Sequence, residues 1–125
     1  MEKLNIKFSF DQLKKDSASD IELLKLIDGE TSMFIAELKP GKTLPGHYHT
    51  EGSEIYLILS GTGKMETGAL IKDGVNWETC FEIKKDDVFE IEPKCVHRLS
   101  NDGKDNLKIV FITPPSHLGD DRIFI

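Results

Sequence analysis

The sequence predicts an all-β fold: an antiparallel double-sheet barrel of the jelly-roll type with little helix, built as one domain over residues 1–125. Three observations carry this. The length, 125 residues, is that of a single domain with a real core. Eight or so short apolar runs are separated by turn signals about every 8–12 residues. Helical periodicity is nearly absent. Many short strands leave many edges, and closing two sheets on each other manages them.

In chain order, Ser9–Asp16 (SFDQLKKD) reads as a short helix capped by Ser9. IELLKLI and TSMFIAEL flank Asp28-Gly29, a hairpin signal whose two central positions favour positive φ. KPGK marks the next turn. SEIYLILSG is a strand closed by Gly61. GKMETGALIK and NWETCFEIKK flank DGV and form a second hairpin. The charged run Lys84–Asp87 (KKDD) is a turn. DVFEIEP and NLKIVFITPP are strands stopped by proline, and RIFI ends the chain as a short strand.

The chain is 38% hydrophobic and 30% charged, which fits a globular domain and not a disordered one. Its net charge of −6 repels phosphate, so nucleic acid and anionic membranes are poor partners. No apolar run is long enough to span a bilayer, and MEKLNIKFSF lacks a signal peptide's apolar stretch; a cytoplasmic location is expected. Cys80 and Cys95 have neither zinc nor redox spacing, and both are expected as free thiols packed like small apolar side chains.

The segment PGKTLPGHYHTEGSEIYLILSG (Pro40–Gly61) holds the chemistry. His47 and His49 are two apart, so on a strand both imidazoles share a face. Glu54 lies five past His49, which on a straight strand is the opposite face. Gly52 within TEGS turns the chain and brings the glutamate back. His97, after Pro93 at the end of another strand, adds a third imidazole. Three histidines and a carboxylate suit a divalent metal and leave positions open for water or substrate.

These residues resemble the cupin family. Its first motif is a glycine, five residues, His-x-His, three or four residues, Glu, six residues and glycine. Here that is Gly41, KTLPG, His47-Tyr48-His49, TEGS, Glu54, IYLILS and Gly61. The second motif is matched by His97 and Asn101 in HRLSN. It departs elsewhere: Asp86 and Lys94 stand where the family has glycines, and Glu92 where it has proline. Lys in a left-handed turn costs roughly 1 kcal/mol, so the turn before His97 is expected to be reshaped. The resemblance implies a double-stranded β-helix and one divalent ion, Fe, Mn, Ni, Cu or Zn, on His47, His49, Glu54 and His97.

Tyr56 and Ile58 alternate in phase with Glu54, and Cys95 with His97; these three are the candidate substrate-pocket residues. Arg98 should face away from the site, and His117, without a partner at ligand spacing, reads as a surface loop residue. Ile55, Leu57 and Leu59 make the outer face of the Glu54 strand apolar as well, so it needs cover from the N-terminal segment, including the hairpin Ile21–Leu38, or from a partner subunit. Small cupins are commonly dimers, and a homodimer is expected. Two function classes follow. One is a metalloenzyme of dioxygenase or isomerase/epimerase type. With only Arg98 and Arg122 as arginines, its substrate would be a small, weakly charged molecule. The other is a metal-bearing small-molecule binding or sensor module without turnover.

Overall fold

The computed structural model describes residues 3–125. Eleven strands occur among them: β1 (Lys14–Lys15), β2 (Glu22–Ile27), β3 (Ser32–Leu38), β4 (Thr43–Tyr48), β5 (Glu54–Ser60), β6 (Thr62–Ile71), β7 (Gly74–Lys84), β8 (Val88–Ile91), β9 (Val96–Ser100), β10 (Leu107–Thr113) and β11 (Ile123–Phe124). They form two antiparallel sheets. One has the order β1-β2-β3-β10-β5-β8, the other β11-β4-β9-β6-β7. The all-β expectation holds: among the described residues, helix is confined to one four-residue α-helix, α1 (Ile6–Ser9), and two short 3₁₀ turns.

The core lies between the sheets and follows the period-2 rule. Phe34, Ala36 and Leu38 of β3, Tyr56 and Ile58 of β5, and Leu107, Ile109 and Phe111 of β10 point inward. From the other sheet Leu44, Met65, Ile83 and Leu99 meet them. Phe34 stacks on Phe111 with ring centres 4.5 Å apart, and Tyr56 meets Phe111 edge-on at the same separation.

Several elements differ from the sequence reading. The N-terminal helix begins earlier, because Asn5 caps it by accepting a hydrogen bond from Phe8 N–H (3.1 Å). Ser9 sits in the helical region and donates back to Asn5 O instead of capping. Lys14–Lys15 then pairs with β2 as a strand. The β2–β3 hairpin forms, but its connection runs over residues 28–31 and Gly29 lacks positive φ. A four-residue connection can use ordinary right-handed turn conformations, so Asp28-Gly29 needs no left-handed pair. Cys80 is exposed on β7, the edge strand of its sheet, and is not packed inside; Cys95 is half-buried, and both thiols are free.

At the two positions before His97 where the motif has glycine, the backbone is left-handed. Asp86 has φ 75° and Lys94 φ 67°. Lys94 N–H donates to His49 O (2.7 Å), and this bond between the two motif segments holds the strained residue in place. Lys94→Gly is therefore expected to stabilise the fold by about 0.5–1 kcal/mol in chemical denaturation, since it removes a Cβ clash at φ 67°.

The outer face of the six-stranded sheet carries an unbroken apolar row. Leu24, Ile35, Val110, Leu57 and Val88 are cross-strand partners in succession from β2 to β8. Ile35 and Val110 are buried, whereas Leu57 is half-buried and Val88 is 63% exposed. The hairpin Ile21–Leu38 contributes to this face as part of the same sheet. The segment around α1 covers its β2 side, with Phe10 under the Lys108 ammonium (5.0 Å), and leaves the β8 side uncovered.

Candidate metal centre

The two sheets bring the predicted donors together from opposite sides. His47 on β4 and His97 on β9 are direct cross-strand partners, and their ring centres are 4.2 Å apart. His49 lies one residue past the end of β4, on the same face as His47. Glu54 opens β5 in the facing sheet. Between them Gly52 has φ 70°, and a Cβ there would come within 2.4 Å of the Pro114 ring. Glycine is thus required both by the backbone turn and by the close approach of the C-terminal segment.

Each imidazole is fixed by a backbone carbonyl. His47 Nδ1–H donates to Pro45 O (2.9 Å), His49 Nδ1–H to Asp121 O (2.5 Å) and His97 Nδ1–H to Cys95 O (3.0 Å). A carbonyl only accepts, so each ring holds its proton on Nδ1 and presents the Nε2 lone pair inward. His49 Nε2 and His97 Nε2 are buried without a hydrogen-bond partner. Donor atoms of His47, His49 and His97 lie within 4.8 Å of one another. Buried, outward-pinned imidazoles of this kind could hold a metal ion, and the donor chemistry fits a divalent ion of the imidazole-favouring kind.

Glu54 is 3% exposed, and its Oε2 is 2.8 Å from His49 Nε2, a close contact without hydrogen-bond alignment. Two lone-pair atoms at that separation call for a cation or a proton between them. His117 is the residue that sequence reading missed. It is 1% exposed, not a surface residue. It sits in the 3₁₀ turn Pro115–Leu118, stacks flat on His49 (3.9 Å, 7°) and places Nδ1 3.5 Å from Glu54 Oε2. His49, Glu54 and His117 form a second donor set with the same 4.8 Å spacing, sharing His49 with the first.

Electrostatics suits metal binding. Burial pushes His47 down to about 3, with His97 nearby adding to the fall, and burial lowers His97 as well. Both are neutral at physiological pH. Burial alone would keep Glu54 protonated, but His117 and His49 beside it hold its carboxyl below the usual carboxylate range. Burial opposes charge on His117, yet Glu54 and the Glu51 carbonyl raise it above the ordinary histidine value.

The C-terminal segment closes the centre. Asp121 accepts from Thr50 N–H, Thr50 Oγ1 and Glu51 N–H at 2.7–2.9 Å, besides receiving the His49 proton on its carbonyl. Arg122 grips Asp16 with two bonds (3.0 and 2.9 Å). A cavity of ≈ 20 Å³ remains beside the imidazoles. His47, His49, Glu54, His117 and Arg122 line it together with Ile21, Leu23, Phe34, Leu44, Phe111 and Leu118. Tyr56 and Ile58 are fully buried in the core, and Cys95 packs against that core; none of the three borders this cavity. Arg98 faces away, paired with Glu66 (2.6 Å) and lying over Trp77. Asn101 serves the fold: its side chain donates to Leu38 O and Asp105 O and accepts from Gly103 N–H.

Comparison with known proteins agrees with this architecture. A Pseudomonas aeruginosa protein named UDP-2-acetamido-2,6-beta-L-arabino-hexul-4-ose reductase is 31% identical over 91 residues, covering 72% of this chain and 24% of that protein. The chain thus spans about a quarter of that relative's length. An uncharacterized protein of Methanocaldococcus jannaschii is 32% identical over 124 residues, covering 93% of this chain and 91% of that one. A Klebsiella pneumoniae protein described as having a double-stranded beta-helix domain superposes with a TM-score of 0.70 at 16% identity, covering 95% and 94% of the two chains. The Cupin domain model matches residues 34–113, a span that holds all four predicted donors, and the chain belongs to the cupin family.

Proposed function

We propose that this protein holds one divalent ion on His47, His49, Glu54 and His97 and is a metalloenzyme acting on a small, weakly charged molecule, of dioxygenase or isomerase/epimerase type. The observation that carries the metal is the set of three buried imidazoles whose Nδ1 protons are all taken by backbone carbonyls. A bound ion would polarise a substrate oxygen or bind dioxygen. The chain's own contribution is to hold His47 and His97 neutral, keep Glu54 ionised, and line the approach with Phe34, Phe111, Leu23 and Leu118, which exclude water. The one arginine at the cavity, Arg122, is engaged by Asp16, and His117 faces the Glu54 carboxylate, so a phosphate or diphosphate meets no unpaired cation there.

The second reading, a metal-bearing binding module without turnover, is favoured by one feature. A cavity of ≈ 20 Å³ admits about one water, far below the few hundred Å³ of an ordinary ligand pocket. An enzyme on anything larger requires the Pro114–Arg122 segment to yield. Anaerobic reconstitution with each metal, followed by a small-molecule screen for oxygen uptake and product formation, separates the readings. Metal-dependent turnover supports the enzyme. Tight ligand binding without turnover in any metal form supports the module.

The uncovered β8 side of the apolar row supports a two-fold homodimer, the commonest closed assembly. Burial of such side chains contributes roughly 1.5–3 kcal/mol each. Light scattering is expected to show a dimer, and Leu57→Glu, which puts a charge in the centre of that face, a monomer or aggregate. A parent that stays monomeric at tens of micromolar contradicts the assembly.

A further inference from the structure

We propose that His117 is itself a metal ligand, and that His49, Glu54 and His117 form a second seat for the ion overlapping the three-histidine seat. This rests on the metal reading above. His117 is built like the three family ligands, although it lies 20 residues beyond His97 and outside the matched family span. Its Nε2 is bonded to the Glu51 carbonyl (2.5 Å), so the ring is fixed from behind, as His47, His49 and His97 are. Its Nδ1 is buried, has no hydrogen-bond partner and lies 3.5 Å from the Glu54 carboxylate. The flat stack on His49 fixes the ring plane from the side.

The two seats share His49, whose Nδ1 is occupied by Asp121 O, so His49 has one nitrogen to give. One ion therefore occupies one seat at a time. The first seat has three imidazoles that Glu54 completes; the second has two imidazoles with Glu54 as its carboxylate, so the ion moves between them by exchanging His47 and His97 for His117. Imidazole donors in both select a transition metal or zinc over magnesium or calcium.

The test uses cobalt(II) and zinc(II) as probes on the full chain, comparing the parent, His117→Phe, His117→Gln, His97→Ala and His97→Ala/His117→Phe. Readouts are metal affinity by chelator competition, the cobalt(II) visible spectrum, and the metal-induced rise in melting temperature. His117→Phe keeps the ring stacked on His49 and removes both nitrogens. His117→Gln keeps a donor for Glu51 O and guards against a variant that fails to fold. The expectation is an affinity loss of at least about tenfold and an altered cobalt spectrum in both His117 variants. His97→Ala should keep weakened binding, and the double variant should lose it. Parental affinity and spectrum in the His117 variants, with binding lost in His97→Ala, overturn the second seat and leave the three-histidine centre standing. No binding by the parent overturns both. A His117 variant whose metal-free melting temperature falls while its metal-induced rise stays parental shows a structural role only and also overturns the proposal.

Discussion

His49→Ala is expected to abolish stoichiometric metal binding, with an affinity loss of more than about a hundredfold. Changes to residues behind a ligand already cost 10–100-fold, and here the ligand itself goes. His49 is the donor common to both sets of converging atoms found among the described residues, so its loss breaks both. It is also the donor secured most elaborately: Asp121 O accepts from its Nδ1–H, and the Asp121 carboxylate binds Thr50 and Glu51 where the following turn begins. Elemental analysis after reconstitution, with the fold checked by circular dichroism, measures this directly. A variant that still binds one equivalent removes His49 from the centre.

Acid is expected to destabilise the metal-free protein well before ordinary carboxylates titrate. His47 falls to about 3 in the fold against 6.5 for a free histidine, and His97 is lowered too. Between those values the unfolded chain binds protons that the folded chain refuses. Stability is therefore fully present above about pH 6.5 and is lost as pH falls through that window. His47 alone contributes up to about 1.4 kcal/mol per pH unit in that window, and His97 adds to the loss in the same direction. Glu54, lowered below 4.5, extends the loss at more acid pH. His117 runs the other way: raised in the fold, its contribution is present below 6.5 and fades as pH rises through its folded value. Stability of the metal-free form should therefore peak near neutrality. Urea melts from pH 5 to 8 read the slope, and a flat profile between 6.5 and 5 contradicts the burial of neutral imidazoles.

Much of the centre was legible because strand geometry is periodic. His47 and His49 share a face by the rule of two, and Gly52, at φ 70°, supplies the turn that returns Glu54 to it. The β5 pattern likewise gave Tyr56 and Ile58 as inward residues, which they are. Their place relative to the cavity was not legible: the cavity is lined by Phe34, Leu23 and Phe111, not by Tyr56 or Ile58. His117 escaped because it is on a 3₁₀ turn, where neither strand nor helix spacing ties it to a partner, and its contacts come from 66 and 63 residues upstream. The available signal was its neighbourhood: Pro114-Pro115 fixes the start of a turn, and Asp121 is a carboxylate able to tie that turn to exposed backbone N–H groups. Ser9 and Asn5 are both competent helix caps four residues apart, and sequence alone does not rank them. Lys94 is held left-handed by a bond to His49 O, a tertiary constraint that local propensity does not see.

The central claim is that this cupin centres one divalent ion on histidine nitrogen. X-ray absorption of the reconstituted protein, with elemental analysis on the same sample, tests it most directly. The account predicts one ion per chain with at least two imidazole ligands, at about 2.0–2.1 Å for zinc. A chain that takes up no ion after reconstitution, or an ion surrounded by oxygen alone, would contradict it.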